Sequence, residues 1–230
     1  MTASPDTLSQ IDGVKAGLST DRPLIICDAD EVLLRFVETL EGYLQEQSLY
    51  LRLDSFALSG NIRHSEDDRV VEAERVKDLM RHFFSTRVGD CPPVDYAVEA
   101  LEALSKQADV VVLTNLPSAL RAEREAAMKA HGMPYPVISN DGLKGAAVRY
   151  LSDGRTHSIA FLDDLPHNIA SVAEHAPFVH RIHFIADERL RPLLGPAPDA
   201  HRRIDCWREA HDYLESWMNG PEQRDSSILP

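Results

Sequence analysis

The feature that most constrains the fold is a short apolar run, residues 24–27, that ends on two carboxylates. The run is bounded by Pro23, and its Leu-Ile-Ile-Cys sequence suits a strand buried on both faces, as in the centre of a parallel sheet. Asp28 and Asp30 would then lie at the carboxyl edge of the sheet, where ligands of open α/β sheets bind. Two acids there repel each other unless a cation or a basic ligand compensates them. The alternative is that the pair merely begins a solvated turn or caps a helix.

Short apolar strands alternate with helical segments along the rest of the chain. Further strands are predicted at residues 109–113, 136–139, 157–162 and 178–184, with an edge strand near residues 203–207. This alternation is typical of a doubly wound parallel sheet. Residues 37–93 differ, because their apolar residues recur at helical spacing and no convincing strand is present. We therefore predict an α/β, Rossmann-like core of residues 1–36 and 94–230, with a small α-helical cap domain of residues 37–93 inserted after the first strand.

Composition narrows the range of partners. The 230 residues carry a formal net charge of −13, which disfavours a nucleic acid polymer or an anionic membrane because both would be repelled. An anionic small molecule remains compatible if a metal and basic groups reverse the local potential. Cys27, Cys91 and Cys206 are widely spaced and suggest neither a disulfide framework nor a zinc site. No segment has the apolar length of a membrane span, so a cytoplasmic protein is the default expectation.

Polar residues of complementary kinds follow three of the predicted strands. They are Asp28 and Asp30 after the first strand, Thr114 and Asn115 after the second, and Asp163 and Asp164 after the fourth. Parallel strands place these ends along one edge, and Lys144, at the start of a helix, can reach the same crevice. Carboxylate oxygens are the ligands that Mg²⁺ prefers, and a hydroxyl, an amide and an ammonium are suitable donors to a phosphate. One carboxylate can act as a nucleophile while another handles protons.

These segments resemble the four motifs of the haloacid dehalogenase-like superfamily. In order, they are Asp28-Ala29-Asp30-Glu31-Val32, Thr114-Asn115, Lys144, and Asp163-Asp164-Leu165-Pro166-His167-Asn168. The resemblance covers about residues 23–184, and the inserted segment matches the position of the cap in many members. It implies a Mg²⁺-dependent phosphatase that acts on a small phosphomonoester through an aspartyl-phosphate intermediate.

The resemblance also implies a role for each site residue. Asp28 would attack phosphorus, and Asp30 would protonate the leaving oxygen and then activate water. The phosphate ligands would be Thr114, Asn115 through its backbone N–H, and Lys144. The metal ligands would be Asp28, Asp30 through its backbone carbonyl, and Asp164, with Asp163 either joining the metal shell or orienting Lys144. Two positions depart from the common pattern, because Asn168 stands where many members have an acid and Glu31 where many have glycine.

Several alternatives stay open at this point. Dehalogenases usually lack the second acid of the first motif, so Asp30 favours transfer of a phosphoryl group to water over cleavage of a carbon–halogen bond. A phosphomutase would share both acids, and a non-catalytic binding or regulatory protein could keep the same scaffold. Within the predicted cap, four basic residues either recognise a substrate anion or are solvated surface groups. They are Arg52, Arg63, His64 and Arg69.

Overall fold

The computed structural model describes residues 2–220 and contains a six-stranded parallel sheet with helices on both faces. Along the chain the elements are α1 (Pro5–Lys15), β1 (Leu24–Cys27), α2 (Phe36–Glu46), β2 (Leu49–Leu51), β3 (Ile62–His64), α3 (Ala73–Arg87), α4 (Ala97–Leu104), β4 (Asp109–Thr114), α5 (Arg121–Ala130), β5 (Val137–Ser139), α6 (Gly145–Ser152), β6 (Ile159–Asp163), α7 (Pro166–His175), β7 (His180–Phe184), β8 (Arg202–Ile204) and α8 (Trp207–Asn219). Single turns of 3₁₀ helix lie at Ser118–Leu120 and Arg191–Leu193.

The strand order in the sheet is β5-β4-β1-β6-β7-β8, and every pairing is parallel. The first strand is central, and its last residue, Cys27, lies beside Val112 of β4 and Leu162 of β6. The chain builds the sheet outward in both directions from β1, so the strand order reverses there. The predicted doubly wound parallel sheet is confirmed, including the edge strand β8.

Both faces of β1 are covered, as its continuous apolar sequence predicts. Leu24 and Ile26 pack into the hydrophobic cluster that includes residues of α1, α6 and α7. Ile25 and Cys27 point the other way, into a larger cluster that includes residues of α2, α4 and α8. Alternate residues of a strand face opposite sides of the sheet, so four consecutive apolar residues are needed when both sides are covered. This burial fixes β1 in the middle of the molecule and places Asp28 at its central edge.

The segment inserted between β1 and α4 is not wholly helical. It contains α2 and α3, whose buried faces carry the helically spaced apolar residues of the sequence, but β2 and β3 pair between them as an antiparallel ribbon. The expectation that this segment contains no strand was therefore wrong. Each strand has only three residues, which is too short to show the alternation by which strands are recognised. We keep residues 37–93 as the proposed extent of a cap domain, and the part of the proposed core beyond Gly220 lies outside the described residues.

The two helices of the insertion pack against each other through aromatic rings. Phe36 at the start of α2 lies 5.4 Å, ring centroid to centroid, from Phe83 of α3 in an edge-to-face arrangement, and 5.9 Å from Phe84 in a stacked one. Such pairs stabilise an interface beyond the area that they bury. They place Phe36 and Phe84 side by side above the carboxyl edge of β1. Within residues 2–220, no helix is long and apolar enough to cross a membrane.

Candidate active site

The predicted site residues converge at one cavity. Because β1 pairs with both β4 and β6, the carboxyl ends of these three strands are adjacent. The cavity there has a volume of about 260 Å³. Its lining includes six of the seven predicted site residues, namely Asp28, Asp30, Thr114, Asn115, Lys144 and Asp164. The seventh, Asp163, is fully buried outside this lining and forms an ion pair with Lys144.

Lys144 lies between two carboxylates at the base of this cavity. Its Nζ is 2.7 Å from Oδ1 of Asp28 and 2.7 Å from Oδ2 of Asp163, and the lysine is 1% exposed. Burial lowers the pKa of Lys144, but the charges of Asp163 and Asp28 outweigh burial and raise the pKa overall, so the ammonium stays protonated. Oδ1 of Asp28 also accepts a hydrogen bond of 2.7 Å from the N–H of Ala29. These contacts hold the Asp28 carboxylate in one orientation at the end of β1.

The site carries more negative charge than Lys144 compensates. Burial raises the pKa of Asp28 to about 7; Lys144 opposes this rise, whereas Asp163 and Asp30 add to it. Burial, together with the charges of Asp163 and Asp28, holds the pKa of Asp164 well above its usual value. Oxygen atoms of Asp28, Asp163 and Asp164 lie within 4.8 Å of one another. Three acids this close in a buried position indicate a place for a cation.

Unsatisfied buried atoms in the cavity also fit a cation and a phosphate. Asp164 Oδ1, Asn168 Oδ1 and the Thr114 hydroxyl are buried and have no hydrogen-bond partner among residues 2–220. Buried polar atoms are rarely left without a partner unless a ligand or water completes them. The donor set consists of oxygens alone, which suits Mg²⁺ and not zinc. These residues therefore fit the metal that the four motifs imply.

The two adjacent acids after β6 differ in their surroundings. Both oxygens of Asp163 accept hydrogen bonds from protein donors, which are Lys144 Nζ, the Leu165 N–H and Asn168 Nδ2. Asp164 instead lines the cavity with its unpartnered oxygen. Of the two roles left open for Asp163, this arrangement favours the orientation of Lys144. The amide of Asn168 supports that orientation, so a second acid at position 168 would repel Asp163.

Glycine at the start of α6 allows Lys144 to approach the strands. A Cβ atom added to Gly145 would lie 2.2 Å from the carbonyl oxygen of Ser171 on α7, and the Gly145 N–H donates to the Ser171 hydroxyl at 3.2 Å. A side chain at position 145 would therefore clash with the backbone of α7. Close packing of α6 on α7 thereby places the lysine that precedes Gly145 at the bottom of the cavity.

Comparisons with known proteins divide sharply between sequence and structure. No protein-family model matches the chain, and no curated protein matches it either. Solved structures do match, among them a haloacid dehalogenase-like protein of unknown function from Agrobacterium tumefaciens, with 16% identity and a TM-score of 0.60 over 84% of this chain and 98% of that one. A hydrolase of the same family from Deinococcus radiodurans, with bound phosphate and sodium, matches at 14% identity and a TM-score of 0.60 over 87% of this chain and 98% of that one. A predicted phosphoglycolate phosphatase from Haemophilus somnus gives 14% identity and a TM-score of 0.55, over 85% and 99% respectively.

The chain has the haloacid dehalogenase-like fold. The fold that the four motifs predict is therefore confirmed, and at these identities the likeness carries the fold alone. Within this haloacid dehalogenase-like fold, the placement of the strand ends explains why motifs far apart in sequence meet at one edge.

One charged residue beside the site escaped the sequence-based prediction. Arg124 on α5 is fully buried, and its Nη1 lies 2.8 Å from Oδ1 of Asp30, whose side chain is 20% exposed. Burial lowers the pKa of Arg124, but the charge of Asp30 outweighs burial, so the guanidinium stays charged. Its Nε and Nη2 atoms are buried and have no partner within the described part of the chain. Arginine is common on helices, and nothing in the local sequence separates this one from its exposed neighbours.

Glu31, which departs from the common motif, has a structural role. Its φ of 60° lies in the left-handed region that glycine tolerates best. Its Oε1 accepts a hydrogen bond of 2.7 Å from the N–H of Val37 in the first turn of α2. The residue before that helix, Arg35, makes no capping hydrogen bond with its side chain. Glu31 therefore supplies the cap from a distance and ties the end of β1 to the first helix of the insertion.

The side chain of Asn115 holds a loop together. Its Nδ2 donates to the carbonyl of Gly142 at 3.0 Å, and its Oδ1 accepts from Nδ2 of Asn140 at 2.9 Å. The side chain is thus engaged with the protein, while the backbone N–H is the group that the motif assigns to phosphate. Asn115 and Thr114 follow β4 directly, so the rigid sheet positions both.

Proposed function

We propose that this protein hydrolyses a small phosphomonoester in a Mg²⁺-dependent reaction that passes through an aspartyl-phosphate. One observation carries the proposal: the buried carboxylate of Asp28 is held 2.7 Å from the ammonium of Lys144, in a cavity that also contains the unpartnered Asp164 oxygen and Thr114 hydroxyl. A nucleophile, a cation for the phosphate and an unfilled oxygen site therefore share one space. Acyl transfer would need a hydroxyl or thiol nucleophile that is hydrogen-bonded to a base. Of the two hydroxyls that line the cavity, that of Thr114 has no hydrogen-bond partner among residues 2–220, and that of Ser55 accepts a hydrogen bond from the side-chain amide of Asn61.

In the first half of the reaction, Asp28 would attack phosphorus through Oδ2, since Oδ1 is engaged by Lys144 and Ala29. The phosphorus–oxygen bond to the leaving alcohol breaks, and the proton that this alcohol requires comes from Asp30. Thr114 and Lys144 bind the oxygens of the transferred group. Asp28, Asp164 and the backbone carbonyl of Asp30 would hold Mg²⁺, which supplies positive charge where phosphoryl charge accumulates.

In the second half, Asp30 accepts a proton from water while the water oxygen attacks phosphorus. The bond to Asp28 breaks, inorganic phosphate leaves and the free carboxylate is restored. Arg124, bonded to Asp30, keeps that side chain at the edge of the cavity throughout. Asp163 and Asn168 keep Lys144 in place and take no direct part.

Release of p-nitrophenol from p-nitrophenyl phosphate, with Mg²⁺ and with a chelator, tests the proposal. We expect turnover with Mg²⁺ that the chelator abolishes and added Mg²⁺ restores. Absence of turnover with Mg²⁺ across this ester, alkyl phosphates and sugar phosphates would contradict hydrolysis and favour the non-catalytic alternative. Release of halide from a 2-haloacid without Mg²⁺ would instead favour a dehalogenase.

A further inference from the structure

The lining that residues 36–93 contribute to the cavity is mostly apolar. We call its six phenylalanine and leucine residues the apolar roof: Phe36, Leu51, Leu53, Phe56, Leu58 and Phe84. They come from the start of α2, the end of β2, the loop between β2 and β3, and the end of α3. The same part of the chain, residues 36–93, contributes only one polar residue to the described lining, Ser55. A leaving group held above the phosphate would therefore contact rings and aliphatic chains.

The four basic residues of the insertion do not line the cavity. Arg52 pairs with Asp54 at 2.6 Å, Arg63 donates to the carbonyl of Asp68 at 2.9 Å, and none of these residues lines the cavity. Arg69 lies 3.6 Å from Asp67, also outside the cavity, and His64 is absent from its described lining as well. Arg52 and Arg69 are exposed, which supports the expectation that they are surface groups, whereas Arg63 and His64 are half-buried outside the cavity. A second anionic group on the substrate would find no partner among them.

Lys144 is the only cationic residue lining the described cavity, and Asp28 and Asp163 already bind it. Sugar hydroxyls would also lack partners there, because Ser55 is the only hydrogen-bonding side chain that residues 36–93 contribute to the described lining. A hydroxyl that loses its water partners without gaining new ones is disfavoured on binding. The cavity volume of about 260 Å³, which the phosphate shares, leaves space for a small group only.

We infer that the leaving group is a small, uncharged, apolar alcohol or phenol, and not a sugar, a nucleoside or an alcohol with a second acidic group. This inference rests on the proposed phosphatase function and names the substrate class of the same site. The polar floor, defined as Asp28, Asp30, Thr114, Lys144 and Asp164, binds the phosphoryl group common to all such esters. The apolar roof selects among them by the polarity of what the phosphate is attached to.

Two matched pairs of esters test the inference. n-Propyl phosphate and glycerol 3-phosphate share a three-carbon chain, and cyclohexylmethyl phosphate and glucose 6-phosphate share a six-membered ring. We expect kcat/KM to favour the apolar member of each pair by about tenfold to a hundredfold, mainly through KM. Equal rates, or a preference for the polyols, would overturn the inference while leaving phosphatase activity established.

Measurements of binding distinguish a wrong substrate class from a wrong reaction. The affinity of each ester for the Asp28→Asn variant with Mg²⁺, measured by calorimetry, requires no turnover. We expect the same order of preference. If the unaltered protein hydrolyses no ester, the proposed reaction is wrong. The affinities then still show whether the cavity prefers apolar groups.

A pair of substitutions assigns the preference to the roof. Phe56→Ser introduces a hydroxyl at a half-buried roof position, whereas Val70→Ser makes a comparable polar change at a 41% exposed residue of the same insertion that does not line the cavity. Phe56→Ser should lower kcat/KM for n-propyl phosphate about tenfold and leave that for glycerol 3-phosphate within about twofold. Val70→Ser should leave both unchanged. Equal effects of the two substitutions on the propyl ester would overturn the assignment.

Discussion

In the polar floor, Asp28 and Asp30 are held in contacts of 2.7–2.8 Å with Lys144 and Arg124, both almost wholly buried. The apolar roof, by contrast, consists of half-buried rings and aliphatic chains together with the buried Leu51, and Ser55 is the one polar lining residue of the described insertion. Lys144 lies at the start of α6, and the other floor residues lie at or just after the ends of strands in a six-stranded sheet. Roof residues stand largely on a loop and on helix ends.

This difference separates two tasks that a single cavity has to perform. Chemistry requires groups whose orientation is fixed before the substrate arrives, and a parallel sheet supplies such fixed positions. Selection of the leaving group requires a surface that can change without disturbing those groups. Alterations of the floor should therefore lower the turnover of every ester alike, whereas alterations of the roof should change the ratio between esters.

Asp28→Asn should have the largest effect. Asparagine has nearly the same shape and keeps an oxygen that can accept from the Ala29 N–H, but it is not a nucleophile. Turnover of n-propyl phosphate and glycerol 3-phosphate should each fall by at least about a thousandfold. Steady-state assays on both esters check this, with circular dichroism to establish that the fold is intact. A folded variant that retains turnover would require a different nucleophile.

Arg124→Met tests whether the floor depends on a residue that does not line the cavity. Without the guanidinium, Asp30 loses the contact that positions it, so esters of poor leaving groups should lose up to about a hundredfold in kcat. p-Nitrophenyl phosphate should lose far less, because its leaving group scarcely needs a proton. Alkyl and p-nitrophenyl esters assayed side by side measure the difference.

The conservative variant Arg124→Lys serves as the control for this positioning role. It keeps a charge near Asp30 and should recover part of the loss with the alkyl ester. Urea unfolding of both variants measures any loss of stability. A uniform decrease with every ester, in proportion to the loss of stability, would mean that Arg124 is only structural.

The floor was predictable from sequence for a physical reason. Strand ends such as Asp28 and Thr114 follow apolar runs directly, and parallel pairing brings such ends together whatever the distance between them in sequence. Arg124 has no comparable signal, because its role depends on which face of α5 meets the sheet. The roof was hidden as well, since β2 and β3 are too short to recognise and the direction of loop side chains depends on tertiary contacts.

The fold, likewise, could be predicted where the sequence has a regular pattern, and not where it depends on the conformation of a single residue. The continuous apolar sequence of β1 and the alternation of predicted strands and helices indicated the doubly wound sheet. The conformation of Glu31, with φ of 60°, was not predicted, because glutamate rarely adopts it and the motif showed only a departure from the glycine of many members. The hydrogen bond that Glu31 accepts from the Val37 N–H helps to offset the cost of this conformation, and it cannot be read from the sequence.

Binding of Mg²⁺ should stabilise the floor measurably without any substrate. If the cation is held by Asp28 and Asp164, then at a free concentration about a hundredfold above its dissociation constant it should add roughly 2.7 kcal/mol to the free energy of unfolding. For a chain of this size, that corresponds to a rise in Tm of about 5–10 °C. Thermal unfolding with and without Mg²⁺ measures it.

Asp164→Asn should remove most of this rise. The matched control is Glu188→Gln, which removes one negative charge from an exposed residue outside the cavity and should keep the full rise. A rise of the same size in Asp164→Asn would show that Mg²⁺ binds elsewhere. It would also remove the reason to assign the unpartnered Asp164 oxygen to a metal.

The smallest effects are expected at Glu31, on the boundary between floor and roof. Glu31→Ala removes the acceptor for the Val37 N–H and should cost about 1–2 kcal/mol in the free energy of unfolding. Glu31→Gly also loses the acceptor but fits the left-handed backbone, so its cost should be smaller by about 1 kcal/mol. Glu31→Gln keeps both the acceptor and the strained backbone and should remain closest to the unaltered protein. Urea unfolding ranks the three variants.

The ester ratio in these variants then shows whether floor and roof are mechanically linked. Val37 follows Phe36 directly, so loosening the first turn of α2 should displace a roof residue while Asp28 and Lys144 keep their contacts. We expect Glu31→Ala to lower the preference for n-propyl phosphate over glycerol 3-phosphate about twofold to threefold with little change in kcat, a loss of roughly 0.5 kcal/mol of selective binding. If instead kcat falls and the ratio stays constant, Glu31 acts on the floor, and the separation of chemistry from selection fails at Glu31, which joins the end of β1 to α2.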